Sequence, residues 1–241
     1  MKTSHINKGG LDLNKDVDNM KAKEDRKQQI RKLNEPPVLT ILEEVGNAVT
    51  HGIGAALALA GFILLLLKSD TGLKITASCF YGISLFILML MSCLYHSFKS
   101  GSAVKRLWRR FDYCSIYLLI GGTFAPLYLV YWGNKLGITL FCIQWTLIIF
   151  GITMISIFGP ARFQWLHFFL FFAIGWSGLI FFPDWIHNNI PLLLMIIIGG
   201  IIYTAGMIPF ARDKKYDHFI WHFFVVAGAV LHWFGIYMFI Y

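Results

Sequence analysis

From residue 49 to residue 241 the chain is a succession of seven apolar runs, near 49–67, 75–97, 113–132, 137–158, 163–182, 190–210 and 219–241. Each is roughly long enough to cross the ~30 Å hydrocarbon core of a bilayer. Inside that core no water is available to backbone N–H and C=O groups, so runs of this length must be helices. The expected fold is therefore an all-α membrane protein, a bundle of seven transmembrane helices. Composition agrees: 57% of the residues are hydrophobic and only 14% are charged, against about a quarter charged in a soluble domain.

The runs leave little for a second domain. Residues 1–37 mix Lys, Asp, Asn and Gln with few large apolar side chains. Such a segment cannot bury a core, and it is expected to be a disordered cytoplasmic tail ending at Pro36-Pro37. Residues 38–48 suit a short amphipathic lead-in helix at the interface, so that 38–241 form the membrane domain. Cys79, Cys93, Cys114 and Cys142 all fall within apolar runs and lack CxxC spacing, which points to buried thiols and not to a disulfide framework.

The formal charge of +8 does not imply nucleic acid as a partner, because the basic residues sit between apolar runs, where topology explains them. Lys99, Lys105, Arg106, Arg109, Arg110, Arg162, Arg212, Lys214 and Lys215 fall on one side of the expected bundle. Lys68, Lys74 and Lys135 fall on the other. The positive-inside rule then places the N-terminus in the cytoplasm and the C-terminus outside. The expected location is the plasma membrane.

With that topology, polar residues of separate runs reach one depth. His218 and His222, four residues apart, share a helix face about 6 Å apart along the axis. His96 and Ser92 lie at the inner end of the second run, Asp112 at the start of the third, and Glu44, Asn47 and His51 at the mouth of the first. Ionisable groups at membrane depth are functional candidates by default. Three histidines suit Zn2+: neutral imidazole binds it well, and three protein ligands leave a fourth position for water. The spacing matches the helix of HExxH metalloproteases, but Phe219 stands where the glutamate would be, so a base must come from elsewhere. Asp112 is the candidate base and Ser92 can hydrogen-bond a water or a substrate oxygen. Ser92 can equally bond its own helix backbone. Glu44, Asn47 and His51 are candidates to support the ligands, or they merely face the interface. His232 is expected to make a helix–helix hydrogen bond, and His167 and His187 to lie at the interface. The Gly121-Gly122 and Gly199-Gly200 pairs suggest close helix contacts.

Four ordered stretches carry a family resemblance. They are Glu43-Glu44-Val45-Gly46-Asn47-Ala48-Val49-Thr50-His51, Ser92-Cys93-Leu94-Tyr95-His96-Ser97-Phe98, Phe111-Asp112-Tyr113-Cys114-Ser115-Ile116-Tyr117, and His218-Phe219-Ile220-Trp221-His222 with Leu231-His232 beyond. Over about 43–241 the chain resembles bacterial hemolysin III proteins, within the superfamily of progestin and adipoQ receptors. The resemblance implies a zinc ion in the inner half of the bundle, held by His96, His218 and His222, with Asp112 and Ser92 beside it. Alkaline ceramidases, similar in arrangement, hydrolyse a lipid amide; the receptors respond to hormones; the bacterial branch is named for haemolysis.

Three functions follow as expectations. The first is a zinc-dependent hydrolase acting on an amide or ester of a membrane lipid, which would then be its substrate or ligand. The second is a membrane-active cytolysin. A pore needs polar lining across the whole membrane, whereas here the polar residues stop halfway. The third is a sensor or membrane-homeostasis protein in which zinc is structural. The sequence leaves the oligomeric state open.

Overall fold

The computed structural model describes residues 13–212 and 214–241. Among them seven helices are long and apolar enough to cross a membrane, and none of these residues forms a strand. The helices are α1 (Leu13–Leu33), α2 (Ile41–Lys68), α3 (Gly72–Ser97), α4 (Ala103–Ala125), α5 (Lys135–Phe158), α6 (Gln164–Gly175), α7 (Phe182–Asn188), α8 (Ile190–Arg212) and α9 (Asp217–Phe239). The third span is α4 prolonged by a π-helical stretch, Pro126–Trp132. The fifth is α6, a 3-10 segment Ser177–Phe181, and α7.

Four boundaries differ from those expected. The lead-in and the first run are one helix, because Thr40 and Glu43 form a capping box that starts α2 at Ile41 and nothing interrupts it before Lys68. The third span begins ten residues early. Ser102 caps α4 by accepting a bond from the Lys105 backbone N–H, and the first two turns escaped a hydropathy criterion because they are rich in Lys and Arg. The connection from α3 to α4 is correspondingly short. The fifth run is broken after Gly175, with Pro183 entering at the start of α7, where its missing N–H costs no helix bond. In the tail, expected to be disordered, Leu13–Leu33 is a helix with nearly every described side chain exposed. Acidic Asp16 in its first turn and Arg31 and Lys32 in its last complement the helix dipole. Residues 1–12 of that tail lie outside the described residues.

The closest neighbours are α2 with α3, α3 with α4, and α8 with α9, and α2 also packs on α9, which brings the first and last spans together. Small residues permit the closest approaches. A Cβ at Gly122 would lie 2.7 Å from the Phe80 carbonyl oxygen, so α3 and α4 meet backbone to backbone there; at Gly199 it would run into the His232 ring. The expected glycine-pair contacts are thus present.

One end of the bundle is tied by side chains. Asn34 donates to the Phe158 carbonyl (3.0 Å) and accepts from the Ala161 N–H (3.2 Å), clamping the α5–α6 turn. Arg109 donates to the Asn34 and Glu35 carbonyls. Glu43 accepts the Tyr216 N–H at 2.6 Å and so fixes the α8–α9 turn directly ahead of His218.

Candidate metal centre

Two helix ends supply the imidazoles of the site. His96 lies in the last turn of α3, and His218 and His222 lie in the first turns of α9. Their rings form a near-equilateral triangle, with centroid separations of 5.1 Å (His96–His218), 4.9 Å (His96–His222) and 5.1 Å (His218–His222). One ring nitrogen of each lies within 4.8 Å of the other two.

The protonation pattern is set from behind. Glu44 Oε2 lies 2.7 Å from His96 Nδ1. A carboxylate only accepts, so Nδ1 carries the hydrogen and the neutral ring presents a bare Nε2. That atom faces His218 Nε2 at 3.2 Å. A tetrahedral ion with nitrogen ligands near 2 Å keeps them about 3.3 Å apart. The donor set therefore fits a divalent cation, and Glu44–His96 has the form of the carboxylate–histidine pairs that stand behind metal-binding imidazoles. Glu44 is itself anchored by Lys105, whose Nζ donates to Oε1 at 2.7 Å.

The other expected residues gather round this triangle. Asn47 is fully buried, its side-chain nitrogen 3.5 Å from His96 Nδ1, a contact and not a hydrogen bond because both nitrogens carry hydrogen. His51 stacks on His222 with centroids 3.8 Å apart, and neither of its buried ring nitrogens has a partner among the described residues. Ser92 and Asp112 do not join the triangle. They lie together on the wall of a cavity shared with His51, His218 and His222, where the Ser92 hydroxyl faces the Asp112 carboxylate.

That cavity measures about 150 Å³ and is largely apolar. It runs from the imidazoles past Leu119 and Phe172 towards Trp176 and His232, between α4 and α6 on one side and α8 and α9 on the other. α6 and α8 form opposite walls without packing closely on each other. Trp176 and Thr204 join them through one hydrogen bond of 3.2 Å.

Other expectations are corrected or met. His167 is buried, not interfacial, and shares a hydrogen bond of 2.9 Å with the Tyr117 hydroxyl. His232 donates to the Ile196 carbonyl on α8, as expected for a helix–helix bond. The four cysteines are free, but none is fully buried as expected: Cys79, Cys93 and Cys114 are half-buried and Cys142 is exposed. The buried residue that the sequence analysis missed is Lys105. Counted there as a topological charge, it has no exposed side-chain surface and belongs to the site.

A seven-span bundle whose first, second and last spans converge on an open set of three imidazoles defines a polytopic membrane protein with a candidate intramembrane metal centre. The chain belongs to the Haemolysin-III related family, whose model matches residues 39–233 and so includes every site residue above. It is 37% identical to Hemolysin-3 of Bacillus cereus over 202 residues, covering 80% of this chain and 90% of that one. It is 33% identical to the Hemolysin-3 homolog of Bacillus subtilis strain 168, covering 82% and 94%. The human Monocyte to macrophage differentiation factor is 29% identical over 213 residues, covering 84% and 86%. That reach agrees with membership of the superfamily of progestin and adipoQ receptors.

Proposed function

We propose that this protein is a zinc-dependent hydrolase of amide or ester bonds in membrane lipids. The observation that carries the proposal is the join between an open three-nitrogen donor set and an apolar cavity that also holds a carboxylate outside that set. His96, His218 and His222 would hold the ion, which supplies Lewis acidity and a nucleophile at neutral pH when bound. The apolar walls take the hydrocarbon part of the lipid and keep bulk water from its scissile group. Asp112 would accept the proton of the attacking water, and the Ser92 hydroxyl beside it can hydrogen-bond that water or a substrate oxygen. The loose α6–α8 side offers a lipid lateral entry. By the positive-inside rule the centre lies near the cytoplasmic face of the plasma membrane, with the N-terminus inside and the C-terminus outside. Lys105 leaves that count as a buried residue, and the asymmetry persists without it.

The test is turnover by purified protein in lipid nanodiscs with a panel of lipid amides and esters. Asp112→Asn should retain its metal and lose about 10²–10⁴-fold in rate, the usual contribution of a positioned base. Retained turnover in that variant removes Asp112 from the role, and a wild type that cleaves no lipid class removes the hydrolase.

The relatives' printed name supports a second reading, membrane lysis. Within one chain the cavity beyond the imidazoles is walled by side chains such as Leu119 and Phe172, which does not suit a water-filled pore. Lysis would then follow from altered lipids. A His218→Ala variant that lyses cells as well as wild type would separate lysis from the metal centre.

A further inference from the structure

Lys105 is the least expected side chain at this end of the bundle. It is fully buried in the first turn of α4. There the helix dipole disfavours a cation, so helix formation gives no reason for a lysine at this position. Its ammonium has three donors. One goes to Glu44 Oε1 (2.7 Å) and a second to the Phe98 carbonyl (3.1 Å), while the Tyr95 ring lies 4.8 Å from Nζ. The two bonded oxygens and the aromatic face account for the ammonium, and no solvent reaches it. Lys105 is thus neither a substrate anchor nor a nucleophile. What its contacts do is hold the Glu44 carboxylate so that the other oxygen meets His96 Nδ1 at 2.7 Å.

We propose that Lys105 is a positioning residue of the metal centre: acting through Glu44, it locks His96 in the tautomer and orientation that leave Nε2 bare beside His218. The proposal rests on the metal-binding reading of the three imidazoles and adds to it the residue that preorganises one of them. Without the ammonium, Glu44 would keep a buried charge with no cation beside it and could turn away from His96. The bare nitrogen would then no longer be selected. Lys105 is not itself a ligand and does not line the cavity; of its contacts, Glu44 is the one bonded to a ligand nitrogen, so its route to the metal centre runs through Glu44.

That serial arrangement makes it testable without any substrate. Full-length wild type, Lys105→Met, Glu44→Gln and the double variant are purified, stripped of metal, and titrated with Zn2+ against a competing chelator and with Co2+ for its ligand-field absorption. Lys105→Met should weaken Zn2+ binding about 10–100-fold, the usual effect of losing support behind a metal ligand, and should change the Co2+ spectrum. Glu44→Gln should do the same. The double variant should bind no more weakly than Glu44→Gln alone, since residues acting in series are not additive. Affinity in Lys105→Met within about threefold of wild type, with an unchanged Co2+ spectrum, would overturn the proposal.

Stranding the Glu44 charge can also stop Lys105→Met from folding. Glu44→Gln against the double variant then decides: equal affinities support the serial role, and a further loss of about tenfold overturns it. A wild type that takes up neither ion overturns the metal reading itself, a result distinct from any difference among the variants.

Discussion

Replacing Glu43 by alanine should loosen the joint that sets the first span against the start of the last. The Glu43 side chain is 4% exposed and makes bonds in two directions. Oε2 accepts from the Thr40 N–H (3.0 Å) and hydroxyl (2.6 Å), completing the capping box of α2. Oε1 accepts the Tyr216 N–H at 2.6 Å. Tyr216 has φ 67°, a left-handed conformation that a tyrosine adopts only when its surroundings hold it. Loss of the Glu43 half of the capping box, with the Thr40 cap itself retained, costs about 1 kcal/mol, and loss of a hydrogen bond to a charged acceptor about 1.5–3 kcal/mol. The sum, about 2.5–4 kcal/mol, corresponds to a fall of roughly 5–16 °C in Tm for a chain of this size. Glu43→Gln keeps an acceptor for Tyr216 and should lose markedly less. Thermal unfolding of both variants in detergent measures the difference. The same samples should show weaker metal binding for Glu43→Ala, because the turn that Glu43 holds leads directly into His218. A fall in stability below about 1 kcal/mol, or equal losses in the alanine and glutamine variants, would refute the reasoning.

Three further outcomes are expected. Asn34→Ala should destabilise by about 1–3 kcal/mol by stranding the Ala161 N–H and the Phe158 carbonyl, whereas deleting residues 1–33 should leave Tm unchanged; both are read by thermal melts. Gly122→Ala should lower Tm because its methyl group would meet the Phe80 backbone carbonyl at 2.7 Å, which cannot swing aside, while Gly72→Ala meets nothing within 4 Å and should not. Reporter fusions to each terminus in cells should place the N-terminus in the cytoplasm and the C-terminus outside; the reverse would contradict the charge asymmetry of the loops.

Much of the architecture was legible because the bilayer leaves so few options for backbone hydrogen bonds. Seven apolar runs gave seven spans, and the depth of His96, His218 and His222 along them was enough to anticipate their meeting. Hydropathy failed where helix and apolar run stop coinciding. The first turns of α4 are helical through the Ser102 cap but polar in composition, and the fifth run is apolar throughout but broken after Gly175. It failed again over Glu43 and Glu44. The two are adjacent and chemically alike, yet their side chains diverge, one to the α8–α9 turn and the other to His96. Lys105 was hidden for a related reason. A lysine next to three arginines at a span end reads as a topological charge, and only its burial against Glu44 sets it apart from them. Its place at the third position of a capped helix, against the dipole, was the one available sequence signal.

The most direct test of the metal centre is the metal content of the purified protein, measured by elemental analysis on wild type and on His96→Ala, His218→Ala and His222→Ala. We expect close to one zinc per wild-type chain and a large loss in each variant, with all four proteins still folded. Wild type with no bound transition metal, or variants that keep it, would contradict a shared ion at these three imidazoles.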